Sequence, residues 1–155
     1  MAGVVEAALE ADGVVLPTPT APQGSYIPSV QTGNLVYIAG QVPMGPNGVE
    51  FVGRCGDDKS VEDGQAAARL CAINILAQVK AAIGDLDKVV RIVKVNGYVN
   101  ATPEFRDHPK VINGASDFLV KIFGEKGKHA RAAVGVSGLP MGVAVEVEAI
   151  VEVAS

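Results

Sequence analysis

Residues 129–150, HARAAVGVSGLPMGVAVEVEAI, hold the clearest structural pattern in the chain. Two apolar runs meet at a Gly-Leu-Pro-Met-Gly turn over residues 138–142, which predicts a β-hairpin or a closely related pair of strands. Arg131 begins the first run, and the acids Glu146 and Glu148 alternate along the second. Because an arginine can hold a carboxylate by two parallel hydrogen bonds and an acid can orient or deprotonate water, the stretch suggests chemistry on a small carboxylic acid. A solvated ion pair between two strands is the alternative.

The remaining strands are expected upstream of this stretch. Every second residue over 143–153 is apolar, so Glu146, Glu148 and Glu152 share the other side of the last strand. Valine and isoleucine occupy neighbouring positions over residues 89–99, which is typical of a central strand that is apolar on both faces. Further strands are predicted at residues 26–30, 35–39 and 49–52, with a loop at residues 43–48.

Two long helices are predicted between the strands. Ser60 and Asp63 form a capping box before an apolar stripe that ends at Gly84. The second helix is expected to begin near Pro109, because proline suits a first helical turn, and to end at Gly124. The order of strands, helix, strand, helix and strands predicts an α+β sandwich with both helices on one face of a mixed sheet. The second face would stay apolar and uncovered in a monomer, so we expect another subunit to cover it.

The N-terminal segment is predicted to be separate from this sandwich. A short amphipathic helix at residues 4–11 is interpreted as a surface appendage, and residues 17–24, with three prolines, as an extended connector. We therefore divide the chain into an N-terminal extension, residues 1–15, and a single domain, residues 16–155.

Composition restricts the possible functions. A chain of 155 residues fits one domain, and with 48% hydrophobic and 5% aromatic residues its core must rest on aliphatic side chains. A net charge of −4 gives no basic field for a phosphate backbone, so no nucleic-acid partner is expected. We expect no signal peptide and no stretch of membrane-spanning length, and hence a soluble cytoplasmic protein without a membrane partner.

Metal and cofactor signals are absent from the sequence. His108 and His129 are the only histidines, no cluster has metal-ligand spacing, and no phosphate-binding loop is present, so no cofactor is predicted. Cys55 and Cys71 could form a disulfide, but Cys71 falls on a helical pattern that favours a small buried thiol.

Several short segments together carry a family resemblance. In chain order they are Leu16-Pro-Thr-Pro, Tyr26-Ile-Pro-Ser-Val, Gly33-Asn-Leu-Val-Tyr-Ile-Ala-Gly-Gln-Val-Pro43, Ala130-Arg131 with Leu139-Pro140, and Val145-Glu-Val-Glu-Ala-Ile150. The chain thereby resembles the RidA family, also called YjgF or, loosely, endoribonuclease L-PSP, over nearly all of residues 16–153, and residues 16–155 are predicted to form one RidA-like domain. The longer N-terminus and the sequences of residues 113–117 and 124–131 are typical of a divergent branch.

The resemblance implies a fold, an assembly and a set of site residues. The fold is chorismate-mutase-like, a ferredoxin-like sandwich of the βαββαβ type, and the assembly is a homotrimer with ligand clefts between subunits. Arg131 matches the arginine that grips the substrate carboxylate, and Glu146 matches the acid that places the attacking water. Four further positions match substrate-binding residues: Tyr26, Gly40, Asn113 and Ala133. Tyr26 could equally anchor an interface, and Asn113 could equally be a helix-surface or capping amide.

Three positions depart from the family pattern. Ala133 stands where many deaminase members have cysteine, Ala39 where serine is frequent, and His129 where proline is usual. His129 could shuttle a proton at neutral pH, but a single histidine in a charged, glycine-bounded loop is expected to be exposed, so we keep it outside the catalytic set.

The function implied by the resemblance is hydrolysis of 2-iminobutanoate, 2-iminopropanoate or a similar small enamine or imine to a 2-oxo acid and ammonia, without a cofactor. One alternative is a non-catalytic trimer that binds small carboxylates in the same cleft. The other is an endoribonuclease or translation inhibitor, for which the acidic charge and the scarcity of aromatic residues give no local support.

Overall fold

The computed structural model describes residues 3–19 and 21–155. The helices in this part of the chain are α1 (Val4–Ala11), α2 (Val61–Ile83) and α3 (His108–Phe123), with 3₁₀ turns at Leu86–Lys88, Gly124–Gly127 and Pro140–Gly142. The strands are β1 (Ser29–Thr32), β2 (Leu35–Gln41), β3 (Met44–Gly45), β4 (Gly48–Val49), β5 (Val89–Asn100), β6 (Ala130–Val136) and β7 (Val145–Val153).

Five of these strands form one mixed sheet in the order β1-β2-β7-β5-β6. β5 and β6 run parallel, and the other neighbouring strands run antiparallel. α2 and α3 pack against each other and against the sheet. The predicted α+β arrangement, with two long helices on one face of a mixed sheet, is confirmed.

The segment between β2 and α2 differs from its prediction. A loop was expected at residues 43–48, but β3 and β4 pair there as a small two-stranded hairpin. The edge strand expected at residues 49–52 is reduced to Val49 in β4 and an isolated bridge between Val52 and Val143.

Local chemistry sets both ends of α2. The Ser60 hydroxyl accepts a hydrogen bond from the backbone N–H of Asp63, and the Asp63 carboxylate accepts one from the N–H of Ser60, each at 3.0 Å. Gly84, with φ of 86°, ends the helix. The expectation that no stretch reaches membrane-spanning length is wrong, because α2 has 23 residues and a mean hydropathy of 1.4 over its most apolar window. That window is 61% buried inside the fold, as in the core helix of a globular domain.

The predicted alternation along β7 is confirmed. Its apolar side faces the helices and is at most 4% exposed, at Val143, Val145, Val147, Ala149, Val151 and Val153. The acids occupy the other side of the strand, which we call the open face of the sheet because no helix of the described residues packs on it.

The N-terminal helix is part of the core. Leu9 is 1% exposed and joins the main hydrophobic cluster, and α1 contacts α3. The Asp87 carboxylate accepts hydrogen bonds from the N–H groups of Val4 and Val5 at 3.0 and 2.9 Å, which satisfies free donors at the start of α1. The interpretation of this helix as a surface appendage is therefore wrong.

β6 and β7 do not form the predicted hairpin. β5 lies between them, parallel to β6 and antiparallel to β7. Because α3 connects β5 to β6, the chain can place β6 beside β5 in the same direction at the edge of the sheet. The turn at Pro140–Gly142 then carries the chain past β5 to the next position in the sheet.

The open face is mixed rather than uniformly apolar. Val30, Tyr37 and Val134 are 43–51% exposed there. Between these apolar residues, Asn96 and Tyr98 of β5 stand opposite Glu148 and Glu146 of β7. The expectation of a wholly apolar second face thus holds only for its margins.

Candidate functional site

Three of the predicted site residues, Tyr26, Gly40 and Glu146, line one cavity of about 80 Å³. The Tyr26 hydroxyl accepts a hydrogen bond from the backbone N–H of Gln23 at 3.1 Å, which orients the half-exposed ring. Met141, from the turn before β7, also lines the cavity. The connector, the end of β2 and the start of β7 therefore meet at the Glu146 carboxylate.

A β-bulge brings the backbone of β2 close to Glu146. The pairing of β2 with β7 shifts between Ile38 and Gln41, so two residues of β2 oppose one residue of β7. Gly40 lies in this bulge, and a Cβ built on it would stand 3.0 Å from Cδ of Glu146 and nearer still to Oε2. The carboxylate can lie against the strand only because residue 40 has no side chain.

Hydrogen bonding distinguishes Glu146 from Glu148, the next acid on the same side of β7. The Glu148 carboxylate accepts hydrogen bonds from the Tyr98 hydroxyl at 3.1 Å and from the Asn96 amide at 3.3 Å. Among the described residues, no hydrogen bond or ion pair to Glu146 is found. Burial raises the pKa of Glu146, and the nearby charge of Glu148 adds to this effect. The Glu146 carboxylate is therefore half-buried and available to accept a proton from a ligand or water.

Arg131, Asn113 and Ala133 form a second group, on the helix side of the sheet. Arg131 Nη1 donates to Asn113 Oδ1 at 2.8 Å and to Ser116 Oγ at 3.2 Å, and Nη2 donates to the Pro109 carbonyl oxygen at 3.4 Å. Ala133, two residues further along β6, packs against the core. Asn113 thus acts as an acceptor for Arg131 and not as a helix cap.

Arg131 and Glu146 lie on opposite faces of the sheet. On β5, Val95 is the partner of Arg131 and Tyr98 is the partner of Glu146. These two partners are three residues apart, and successive residues of a strand point to opposite faces. An ion pair between Arg131 and an acid of β7, the alternative raised by the sequence, is therefore wrong for a single chain.

His129 is half-buried, contrary to the expectation that it is exposed. Its Nε2 lies 2.8 Å from Ser116 Oγ, and its Nδ1 lies 2.6 Å from the carbonyl oxygen of Gly127. Burial lowers the pKa of His129; the hydrogen bond to Gly127 opposes this shift, and the positive charge of Arg131 adds to it. The ring is accordingly neutral at neutral pH.

Ser116 is the site residue that sequence reasoning missed. Asn113 and Ser116 are three residues apart on α3, so they share one face of the helix and reach Arg131 together. The three-residue spacing is visible in the sequence, but it indicates a shared contact with Arg131 only when β6 is known to lie beside α3.

The described residues offer no metal centre and no activated thiol. No group of three or more His, Cys, Asp or Glu side chains that could hold a metal ion occurs within residues 3–19 and 21–155. Cys55 and Cys71 are free and buried, so the predicted buried state of Cys71 is confirmed. Burial raises the pKa of Cys55 to about 11 and also raises that of Cys71, which keeps both thiols protonated.

Fold and site together define a class of protein. Residues 6–152 match the family described as "YjgF/chorismate_mutase-like, putative endoribonuclease". Because the match spans nearly the whole chain, this protein belongs to the YjgF/RidA family and has its chorismate-mutase-like fold.

Individual relatives extend over almost the full length of the chain. Protein TCP17 of Trypanosoma cruzi is 46% identical over 151 residues, covering 97% of this chain and 94% of the relative. The crystal structure of the protein Atu1372, of unknown function, from Agrobacterium tumefaciens matches with a TM-score of 0.91 and 47% identity, covering 97% and 92% of the two chains. A 2-iminobutanoate/2-iminopropanoate deaminase of Dermatophagoides farinae is 34% identical over 140 residues, covering 88% of this chain and 94% of the relative.

Proposed function

We propose that this protein is a RidA-like imine deaminase that hydrolyses a small enamine or imine of an amino acid, such as 2-iminobutanoate or 2-iminopropanoate. The observation that carries the proposal is that one chain supplies both groups: Glu146, which has no hydrogen bond or ion pair among the described residues, and Arg131, whose guanidinium is held by Asn113 and Ser116. An arginine fork suits a planar carboxylate, and an acid of raised pKa suits proton transfer near neutral pH. The relative from Dermatophagoides farinae that is named as such a deaminase supports this substrate class.

The active site of this proposal is built between subunits. Because Arg131 and Glu146 lie on opposite faces of one sheet, a site that contains both needs the open face of one subunit and the β6 edge of the next. Such a contact joins two different surfaces, and it closes into a ring when the rotation between subunits allows. We propose the homotrimer as that ring, with Val30, Tyr37 and Val134 buried in the contacts.

Each residue has a distinct role in the proposed reaction. Arg131 holds the substrate carboxylate and so fixes the imine carbon near Glu146. Glu146 takes a proton from a water molecule as the water oxygen bonds to the imine carbon, and the electrons of the C=N bond pass to nitrogen. Glu146 returns this proton to nitrogen, which gives a carbinolamine. Glu146 then takes the proton of the carbinolamine hydroxyl and passes it to nitrogen as the C=O bond forms and the C–N bond breaks, so that ammonia and a 2-oxo acid leave. Backbone N–H groups near Gly40 and Ala133 stabilise the developing charge, and no cofactor is required because the imine carbon is already electrophilic.

The test is hydrolysis of 2-iminopropanoate and 2-iminobutanoate, each generated in place and followed as loss of imine above the spontaneous rate. We expect Glu146→Gln to lower kcat by about 10²- to 10⁴-fold, as for loss of a positioned base, and Arg131→Lys to raise KM because the two-pronged donor is lost. Glu152→Gln on the same side of β7 and Arg91→Lys on β5 are the matched controls and should retain activity.

Three results would redirect the proposal. Saturable binding of pyruvate without turnover of either imine would assign the non-catalytic carboxylate-binding role. Cleavage of RNA that survives Glu146→Gln would favour the endoribonuclease alternative, which the net charge of −4 does not support. A monomer mass by light scattering at micromolar concentration would exclude a site between subunits.

A further inference from the structure

A chain of hydrogen bonds runs from the backbone of Gly127 through His129 and Ser116 to Arg131. The three links measure 2.6 Å, 2.8 Å and 3.2 Å in that order. We propose that Ser116 and His129 are positioning residues, which hold the Arg131 guanidinium in the orientation that binds the substrate carboxylate. This inference rests on the proposed role of Arg131 as the anion-binding group.

The direction of each hydrogen bond follows from the chemistry of the groups. A carbonyl oxygen can only accept, so His129 Nδ1 must carry the proton that bonds to Gly127. In the neutral ring Nε2 is then an acceptor, and the Ser116 hydroxyl must donate to it. With its hydrogen committed to His129, Ser116 Oγ presents only lone pairs, which accept from Arg131 Nη1.

This network determines which donors Arg131 has left. The two hydrogens of Nη1 are taken by Asn113 Oδ1 and Ser116 Oγ, and one hydrogen of Nη2 is directed at the Pro109 carbonyl oxygen. A guanidinium has five N–H groups. Within the described part of the chain, the Nε–H and one Nη2–H have no acceptor. Two N–H groups that belong to one guanidinium fork are what a carboxylate needs for bidentate binding.

The same residues do not make a convincing nucleophile. A serine that is hydrogen-bonded to a neutral histidine, whose other ring nitrogen is fixed by a second hydrogen bond, resembles the nucleophile–base pair of hydrolases. In this protein Ser116 Oγ also accepts a hydrogen bond from a cation, Arg131, which draws electron density from the oxygen. That contact makes attack by Oγ less favourable and makes Ser116 a better anchor for the guanidinium.

The first arm of the test needs no ligand. The rigidity of the Arg131 side chain is measured as the NMR order parameter of its Nε–H, with the signal assigned by its loss in Arg131→Lys. We expect a high order parameter in the wild type and a clear fall in Ser116→Ala and in His129→Ala. Ser116→Thr keeps the hydroxyl and His129→Gln offers an amide oxygen in place of Nε2, so both should restore order. An unchanged order parameter in Ser116→Ala overturns the inference, whatever the protein binds.

The second arm connects positioning to ligand binding. Pyruvate is titrated by calorimetry into the wild type, Ser116→Ala, Arg131→Lys and the double variant. We expect Ser116→Ala to weaken pyruvate binding about tenfold, as for the loss of one hydrogen bond to a charged group. It should have no further effect in the Arg131→Lys background, because Ser116 acts only through Arg131. A merely structural role for Ser116 predicts additive losses, and that result also overturns the inference.

The two arms separate this inference from the proposed function. If the order parameter falls in Ser116→Ala but the wild type binds no 2-oxo acid, the positioning role stands and the carboxylate role of Arg131 fails. His108→Gln and Ser137→Ala are the matched controls, since neither residue belongs to the network, and both should leave Arg131 order and pyruvate affinity unchanged.

Discussion

Two impaired variants should complement each other when they assemble in the same ring. The variants are Arg131→Lys, which lacks the carboxylate fork, and Glu146→Gln, which lacks the base. Because these side chains lie on opposite faces of the sheet, each site of the proposed trimer would take Arg131 from one subunit and Glu146 from its neighbour. In a trimer formed at random from equal amounts of both, about one quarter of all sites combine an intact arginine with an intact acid, because the contact between subunits has a direction.

The assay uses two affinity tags so that only mixed trimers are collected. Whether a mixed ring contains two copies of one variant or two of the other, one of its three neighbour contacts has the intact pair. At imine concentrations below KM, mixed trimers should therefore show about one third of the wild-type rate of imine hydrolysis. Glu146→Gln alone should fall to about 1% or less through its kcat, and the rate of Arg131→Lys alone should fall through its raised KM.

The control is a mixture of Arg131→Lys with the double variant that carries both changes. It has no intact arginine and should remain inactive after the same mixing and purification. Mixed trimers of the two single variants that stay equally inactive would show that both residues serve one site from the same chain. That outcome would refute the argument from opposite sheet faces.

Three further predictions follow from the geometry of Gly40, Glu146 and Arg131. Gly40→Ala should displace the Glu146 carboxylate by about an ångström and lower kcat/KM by about 10²-fold, with little change in the free energy of unfolding. The control Gly138→Ala should retain activity, because a Cβ built on Gly138 has no atom within 4 Å. Glu146→Gln should raise the free energy of unfolding at neutral pH, because the raised pKa of Glu146 means that its ionised form destabilises the fold. Urea titrations should show that the difference in unfolding free energy between variant and wild type shrinks as the pH falls towards 4.5. A difference that grows with acid would contradict the burial argument. Arg131→Ala should raise the pKa of His129 towards 6.5, because it removes a positive charge beside the imidazole ring. NMR titration of the ring, with its signal assigned by loss in His129→Gln, measures this pKa. An unchanged or lower pKa would mean that the charge of Arg131 does not affect the titration of His129.

The individual elements were predictable because they are local. The capping box at Ser60, the glycine stop at Gly84 and the alternation along β7 depend on residues a few positions apart, and all three are confirmed. The pairing of strands is not local. The turn at residues 138–142 is compatible with a hairpin, and nothing near it in the sequence indicates that β5 lies between the two strands it connects. Residues 4–11 were misjudged for a similar reason, since the residues that bury Leu9 are distant in the chain.

The arrangement of the candidate site residues could not be predicted from the sequence. The resemblance named residues that the structure places in two groups, one around Glu146 and one around Arg131. The two groups are separate because their residues lie on different faces of the sheet. Which face a residue of β6 shares with a residue of β7 depends on how both strands pair with β5, and the alternation within each strand does not determine that register. His129 was judged by the charged glycine-rich loop around it, but its environment is set by Ser116 on α3.

In the proposed trimer, subunit contact through the open face would also change the pKa of Glu146. Glu146 is half-buried in one chain, and burial is already the main cause of its raised pKa. If a neighbouring subunit covers Val30, Tyr37 and Val134, it removes further water from the same face and should raise the pKa of Glu146 again, towards the pH at which a base works best. The Arg131 charge of that neighbour would limit the rise, because an opposite charge favours the ionised acid. An open face with apolar margins around a pair of acids therefore fits the proposed catalytic interface, because the apolar margins can bind a second subunit and the acids include the proposed base. A uniformly apolar face could bind a subunit but would contain no base.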